Sequence, residues 1–479
     1  MVDRLCGTGG GVTATAPDLV TSRTGGRVLR GFAELAAAVA DTADDSPWLA
    51  ELRRAAVARF VEVGLPGSKD EEWRFTPLQA LAAVQFGAPG ASSAVAAADL
   101  EPLLVGGPGW PLLVVVDGAV DRRLSRVAAL PSGVTFVSLA DAIAAGHPLV
   151  EQHLAHHAGI DSSVFNAISA ALIRDGTLIH VGAGVTLSLP LHVVYLTTKG
   201  AAGSIIVPRS LVVLDHDARA TVIETFATLE APSDGRRTGR RSDAELPVTR
   251  DPYLTAACAE IVLGENARLE HIRLQEEALT AFHVGCTVVD QARDSHFRSF
   301  ALARGARLSR HDLRARLGGS NVEALLYGLY LARGEQLIDN HTAIFHDRPD
   351  CRSWEVYKGV LAERARGVFN GKVIVRPEAQ RTDAKQTNRN LLLGDEARIN
   401  TKPQLEIFAD DVKCTHGATV GKLDEQQRYY LRTRGIAGRA AEVLLITAFI
   451  AEVLAEIVQP QVRNALTASM YAEMDALIA

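Results

Sequence analysis

Glu260-Ile261-Val262-Leu263-Gly264-Glu265-Asn266-Ala267-Arg268-Leu269-Glu270-His271-Ile272-Arg273-Leu274 is the stretch whose reading decides the fold. It is a β-rich run, a turn made of glycine and asparagine, and a second β-rich run, each too short for a helical period. The pattern continues on both sides. Thr177–Val181, Leu211–Leu214 and Thr221–Phe226 precede it; His283–Val289, Phe297–Leu302, Val373–Val375 and Leu405–Phe408 follow. Turn signals fall between the runs at Asp294-Ser295, Arg304-Gly305, Gly318-Gly319-Ser320-Asn321, Arg333-Gly334 and Gly394-Asp395. Short strands with small-residue turns from Thr177 to about Val420 fit a sandwich, a barrel or a β-solenoid. No fixed hexapeptide or nonapeptide repeat separates these three.

Helical periodicity flanks this region. Phe32, Leu35 and Val39, and then Leu52, Ala56, Val57, Phe60 and Val61, recur at helix spacing. Leu112 to Val116, followed by Asp117-Gly118, reads as a buried strand and turn, and Phe165 to Ile173 as a short helix closed by Asp175-Gly176. Past Glu425, residues Val443, Leu444, Ile446, Thr447, Ile450, Val453, Leu454 and Ile457 cover an angle wide enough for two partners. Pro460 ends that helix, and Ala465 to Ile478 reads as a last amphipathic one. The polar stretch Leu229 to Asp251, with Arg236-Arg237 and Arg240-Arg241, reads as a mobile surface insertion. The expected organisation is therefore a disordered tail (1–27), a mostly helical N-terminal domain (28–155), a β core (156–423) carrying the insertion 229–251, and a C-terminal helical domain (424–479).

Composition narrows the function. The chain has 479 residues, 47% hydrophobic and 22% charged, with net charge −6. It is ordinary for a globular protein, and the charge disfavours nucleic acid or an anionic membrane as partner. Five cysteines (Cys6, Cys258, Cys286, Cys351, Cys414) are odd in number and scattered, which argues against a disulfide framework and for a reducing, cytoplasmic compartment. Val443 to Val458 is too short to span a bilayer and carries Glu452 and Glu456. No complete phosphate-binding loop is present: Gly417-Ala418-Thr419-Val420-Gly421-Lys422 is one residue short and runs into Leu423. Any ATP hydrolysis is expected to come from a partner.

The chemistry concentrates in Lys402-Pro403-Gln404-Leu405-Glu406-Ile407-Phe408-Ala409-Asp410-Asp411-Val412-Lys413-Cys414-Thr415-His416-Gly417. On a strand, Cys414 and His416 share a face, and Glu406 and Asp410 join them if the run is unbroken. A thiol beside an imidazole suits soft-metal or iron–sulfur ligation, or nucleophile activation. His341, His346 and Cys351 recur at intervals of five, which alternates faces, although a turn at Arg348-Pro349-Asp350 would return His346 toward Cys351. Cys258 and Cys286 lie in apolar strands and read as small core residues.

Several ordered segments resemble one family. They are Gly67-Ser68-Lys69-Asp70-Glu71-Glu72-Trp73-Arg74-Phe75-Thr76-Pro77-Leu78, Gly367-Val368-Phe369-Asn370-Gly371, Arg381-Thr382-Asp383-Ala384-Lys385-Gln386-Thr387-Asn388-Arg389-Asn390-Leu391-Leu392, the Cys414 run, and Tyr429-Tyr430-Leu431-Arg432-Thr433-Arg434-Gly435-Ile436. Together they resemble the SufB/SufD family of scaffolds for iron–sulfur cluster assembly. The text Cys414-Thr415-His416-Gly417-Ala418-Thr419 is of the SufD type rather than the SufB type. The resemblance implies a mainly β fold, a right-handed parallel β-helix flanked by helical domains. It implies a non-catalytic scaffold that pairs with SufB through the β-helix and receives sulfur indirectly from SufS–SufE. The SufC ATPase would dock on the C-terminal helices at Tyr430, Leu431, Arg434, Gly435 and Ile436. His416 and Cys414 become the candidate cluster-assembly residues at the SufB interface and possible transient metal ligands, with His346 and Cys351 weaker candidates. No cofactor is expected to bind tightly beyond a transient iron–sulfur cluster shared with SufB. Two other classes stay open: a carbohydrate-active β-helix enzyme, disfavoured by 5% aromatics, and a Cys–His hydrolase, disfavoured by the pair's spacing.

Overall fold

A computed structural model of the chain describes residues 28–40, 45–90, 94–127, 130–229 and 252–477. The expected tail and the expected insertion 229–251, apart from Leu229, lie outside the described residues, as does Cys6. The strands are β1 (Leu112–Val116), β2 (Ala119–Val120), β3 (Val134–Ser138), β4 (Gly176–Val181), β5 (Leu191–Thr197), β6 (Ile205–Ile206), β7 (Arg209–Leu214), β8 (Arg219–Thr228), β9 (Leu254–Leu263) and β10 (Arg268–Glu276). They continue with β11 (Phe282–Gln291), β12 (His296–Ala303), β13 (Leu308–Leu317), β14 (Glu323–Ala332), β15 (Leu337–His346), β16 (Arg352–Leu361), β17 (Arg366–Val375), β18 (Thr382–Leu392), β19 (Arg398–Ile407) and β20 (Val412–Gly421). From β7 onward successive strands alternate between two sheets, and each pairs in parallel with the strand one coil away. This is the parallel β-helix. The opening stretch is one corner of it: its first run ends β9, its turn is the corner, and its second run is β10.

The corners explain the turn residues. Asp217, Asn266, Asp294, Asn321 and Asp350 all take positive φ, a region that Asn and Asp enter most readily after glycine. They stack along one edge of the solenoid. The Asn266 amide donates to Asp217 at 2.6 Å, and the Asn321 amide donates to Asp294 at 2.8 Å. Equivalent positions fall at Arg268, His296, Glu323, Arg352, Asp383 and Lys413. The spacing drifts from coil to coil, so no fixed repeat is visible in the sequence.

Helices close both flanks. α1 (Phe32–Ala40), α2 (Pro47–Val63), α3 (Gln79–Ala82), α4 (Ala97–Leu100), α5 (Leu139–Ala144), α6 (Pro148–His153) and α7 (Val164–Ala171) belong to the N-terminal half. Phe32, Phe60, Phe165 and Ile168 from this group pack with Leu211, Leu254, Val284 and Leu308 on the outer face of the odd-strand sheet. At the other end stand α8 (Glu425–Thr433), α9 (Gly438–Leu454) and α10 (Pro460–Leu477). Ile446, Ile450, Val453, Leu466 and Met470 pack on Ile272, Phe300, Leu329 and Val360 of the even-strand sheet. Pro460 opens α10 rather than merely ending α9, a position where its missing N–H costs nothing. α8 buries no residue, and Tyr429 and Tyr430 are exposed.

Candidate functional site

The solenoid stops at β19 and β20, each the last strand of its sheet with one neighbour only. Both carry mainly half-buried or exposed side chains, unlike the coils before them. Cys414 and His416 stand on β20, opposite Ala384 and Gln386 of β18. Cys414 is half-buried against the interior cluster, whereas His416, two residues along, is exposed. Burial pushes the Cys414 thiol up, which disfavours the thiolate that a Cys–His hydrolase requires.

Glu406 and Asp410 do not join them. The expected single run is broken by the corner at 408–411, so Glu406 sits on β19 in the other sheet, 3.8 Å from Lys372. His341, His346 and Cys351 also separate. His341 points outward from β15 and His346 inward, as odd spacing requires. His346 is buried, bonds to Ser353 at 2.8 Å, and burial holds it down at about 4. The Cys351 thiol donates to the Gly319 carbonyl at 3.3 Å and burial pushes it up to about 11. Both are neutral groups with partners. Among the described residues, no group of three or more His, Cys, Asp or Glu side chains is arranged to hold a metal ion.

Sequence reasoning missed the polar interior behind His416. His271, Ser299, Leu326, Glu355, Gln386 and His416 occupy one register row along the even-strand sheet. The Gln386 amide donates to the buried Glu355 carboxylate at 2.7 Å, and burial raises that carboxyl to about 7. Gln386, Asn388 and Asn390 alternate along β18. The Asn388 amide donates to the Tyr330 hydroxyl at 3.2 Å, and the Asn390 amide to Asn388 at 2.6 Å. A Cβ at Gly371 would lie 2.1 Å from the Gln386 amide nitrogen, so glycine there makes room for the ladder. Amides recurring every second residue on one strand were the available signal.

A second missed cluster gives the Glu71–Thr76 segment its role. The segment docks on the outer face of the odd-strand sheet. The Arg310 guanidinium donates to the Glu72 carbonyl at 2.6 Å and to Asp339 at 2.9 Å, and stacks 3.8 Å from the Trp73 ring centre. Thr76 donates to Asp339, and Lys402 of β19 pairs with Glu71. His341 lies between Glu72 at 3.2 Å and Asp339 at 3.0 Å. Burial opposes charge on this ring most strongly, but the Asp339 carboxylate and the bonds to Asp339 and Glu72 together outweigh it, and His341 is pushed up to about 9.

Among the described residues no helix is long and apolar enough to cross a membrane. Residues 195–449 match the family model described as SUF system FeS cluster assembly, SufBD core domain, and residues 32–193 match that of the SufBD protein N-terminal region. An iron–sulfur cluster assembly SufBD family protein of Synechocystis is 34% identical, over 85% of this chain and 87% of the relative. The iron–sulfur cluster assembly protein SufD of Escherichia coli is 33% identical, over 82% and 86% respectively. That of Bacillus subtilis is 26% identical, over 68% and 70%.

Proposed function

Since the chain belongs to the SufBD family of iron–sulfur cluster assembly proteins, we propose that it is a non-catalytic scaffold subunit that pairs with SufB and carries the SufC ATPase. The single observation that carries the reading is the open end of the β-helix. There two edge strands present unpaired backbone beside a half-buried thiol and an exposed imidazole. An uncovered parallel edge of this length is a template for strand addition. A SufB β-helix seated on β19 and β20 would cover it and place His416 at the shared boundary. There the imidazole would ligate iron or orient a sulfur species of a transient cluster. Cys414 would serve as a thiolate ligand only if the partner supplied positive charge, because its burial favours the thiol. Sulfur would arrive indirectly from SufS–SufE. The exposed face of α8 and its C-terminal turn, with Tyr430, Leu431, Arg434, Gly435 and Ile436, would take SufC. The free, scattered cysteines favour the cytoplasm.

The test is co-purification with SufB and SufC, followed by iron and sulfide analysis of wild type, His416→Ala and Cys414→Ser. His416→Ala should keep the complex and lose most of the cluster; wild-type cluster content in that variant would remove His416 from the site. Failure of the wild-type chain to bind SufB would remove the scaffold reading itself.

A further inference from the structure

The outer face of the odd-strand sheet carries one register row that reads Arg209, Cys258, Cys286, Asp312, His341, Asn370 and Lys402, one residue per strand from β7 to β19. Its two cysteines are therefore direct neighbours on the parallel strands β9 and β11. Neighbouring strands lie about 4.8 Å apart, inside the Cα separation of roughly 4.4–6.8 Å that a disulfide spans. The two side chains stand at paired positions on the same face of the sheet. Cys258 is buried and Cys286 half-buried, and both are free thiols.

The surroundings are not those of two small hydrophobes filling space. Arg209 stands one step before Cys258 in the row with no exposed surface. One of its amino groups donates to Glu260 at 2.7 Å, while its Nε has no hydrogen-bond partner among the described residues. On the other side, Asp312 follows Cys286 in the row and its carboxylate opposes a thiolate there, while Arg314, two residues along β13, favours one. Guanidinium groups beside a register-paired thiol pair, Arg209 next to Cys258 and Arg314 near Cys286, supply the positive charge that one sulfur needs to become the attacking thiolate.

We propose that Cys258 and Cys286 are a redox-active dithiol that a peroxide closes to a disulfide beneath α7. The Cys286 thiolate attacks one peroxide oxygen. The O–O bond breaks, Cys286 becomes a sulfenic acid, and the departing hydroxide takes up a proton as water. The Cys258 sulfur then attacks the Cys286 sulfur, the S–O bond breaks, and a second water leaves with the Cys258 proton. Two thiols and one peroxide become one disulfide and two waters. A dithiol reductant reverses the change by exchange.

The test uses the full, reduced chain treated separately with hydrogen peroxide and with diamide. Free thiols are then alkylated under denaturing conditions and mapped by mass spectrometry without reduction. The expected result is loss of two of the five thiols and a peptide pair linked through Cys258 and Cys286. Dithiothreitol should restore both, and the link should be absent in Cys258→Ser and Cys286→Ser. Full alkylation of both residues after either oxidant, or a link joining another pair, would overturn the proposal.

Discussion

Protonation of His341, wedged between Asp339 and Glu72, should make the stability of the fold depend on pH. The ring is charged up to about pH 9 in the folded chain, against an ordinary value of 6.5 when unfolded. A folded-state value above the unfolded one means that the stabilisation is complete below about pH 6.5 and is lost as pH rises through about 9. The gap of about 2.5 units corresponds to about 3 kcal/mol. The His341 side chain is only 10% exposed, so solvent screens little of it. Glu72, held at about 2 chiefly by its hydrogen bond from His341, is half exposed and adds no titration in this window. Between about pH 5.5 and pH 9.5 the equilibrium for unfolding should rise by roughly 200-fold from this ring, because unfolding removes Asp339 as well as Glu72 from beside it. Denaturant unfolding of the full chain across this range reads the change directly. Comparison with the His341→Gln variant at each pH removes the contribution of every other titrating group. A pH-dependent change in that ratio of less than about tenfold would refute the reasoning.

Two further outcomes follow from buried charges. Arg209→Met leaves the Glu260 carboxylate without its guanidinium, though still bonded to the backbone N–H groups of Ala155 and Ala158 at 2.8 and 2.9 Å. It should cost about 3–5 kcal/mol in denaturant unfolding, with part recovered in the Arg209→Met, Glu260→Gln double variant; a loss below about 1 kcal/mol would count against it. Lys358→Met removes the ammonium that joins β16 to the Phe449 carbonyl at 2.7 Å and to Glu452. Exchange in α9 should accelerate while the β-helix keeps its protection, and unchanged exchange in α9 would mean that the apolar seam alone holds the helix.

Strand content and turn positions were legible because they obey local rules. Short β-rich runs, Asn and Asp at the corners, and glycine punctuation all act over a few residues, and the structure puts Asn266, Asp294 and Asn321 at corners where the sequence signals turns. Coil closure was not legible, because parallel pairing joins residues a whole coil apart and the coils differ in length. The same limit hid the relation of Cys258 to Cys286, of His341 to Glu72, and of Gln386 to Glu355. In each case the partner lies on another strand or another element, and spacing along the chain carries no trace of it. The Glu71–Thr76 segment was conspicuous as a motif, yet its physical task, gripping Arg310, Asp339 and His341, required the fold.

The difference between Cys414 and His416 is where local parity and coil stacking meet. Both follow the inward parity of β20, and in any earlier coil both would be enclosed. Cys414 keeps the contacts of that parity because the interior cluster still reaches it. His416 lies past the last enclosed layer, opposite Gln386, whose amide is committed to Glu355. The exposed imidazole lies at the end of a row whose two preceding members, Glu355 and Gln386, are buried polar groups tied to each other, which is what the proposed strand addition would extend. A β-helix that completed the coil would desolvate His416 and set it against groups of its own. The proposed scaffold role therefore requires His416 to be solvent-accessible in the isolated chain and shielded once SufB is bound.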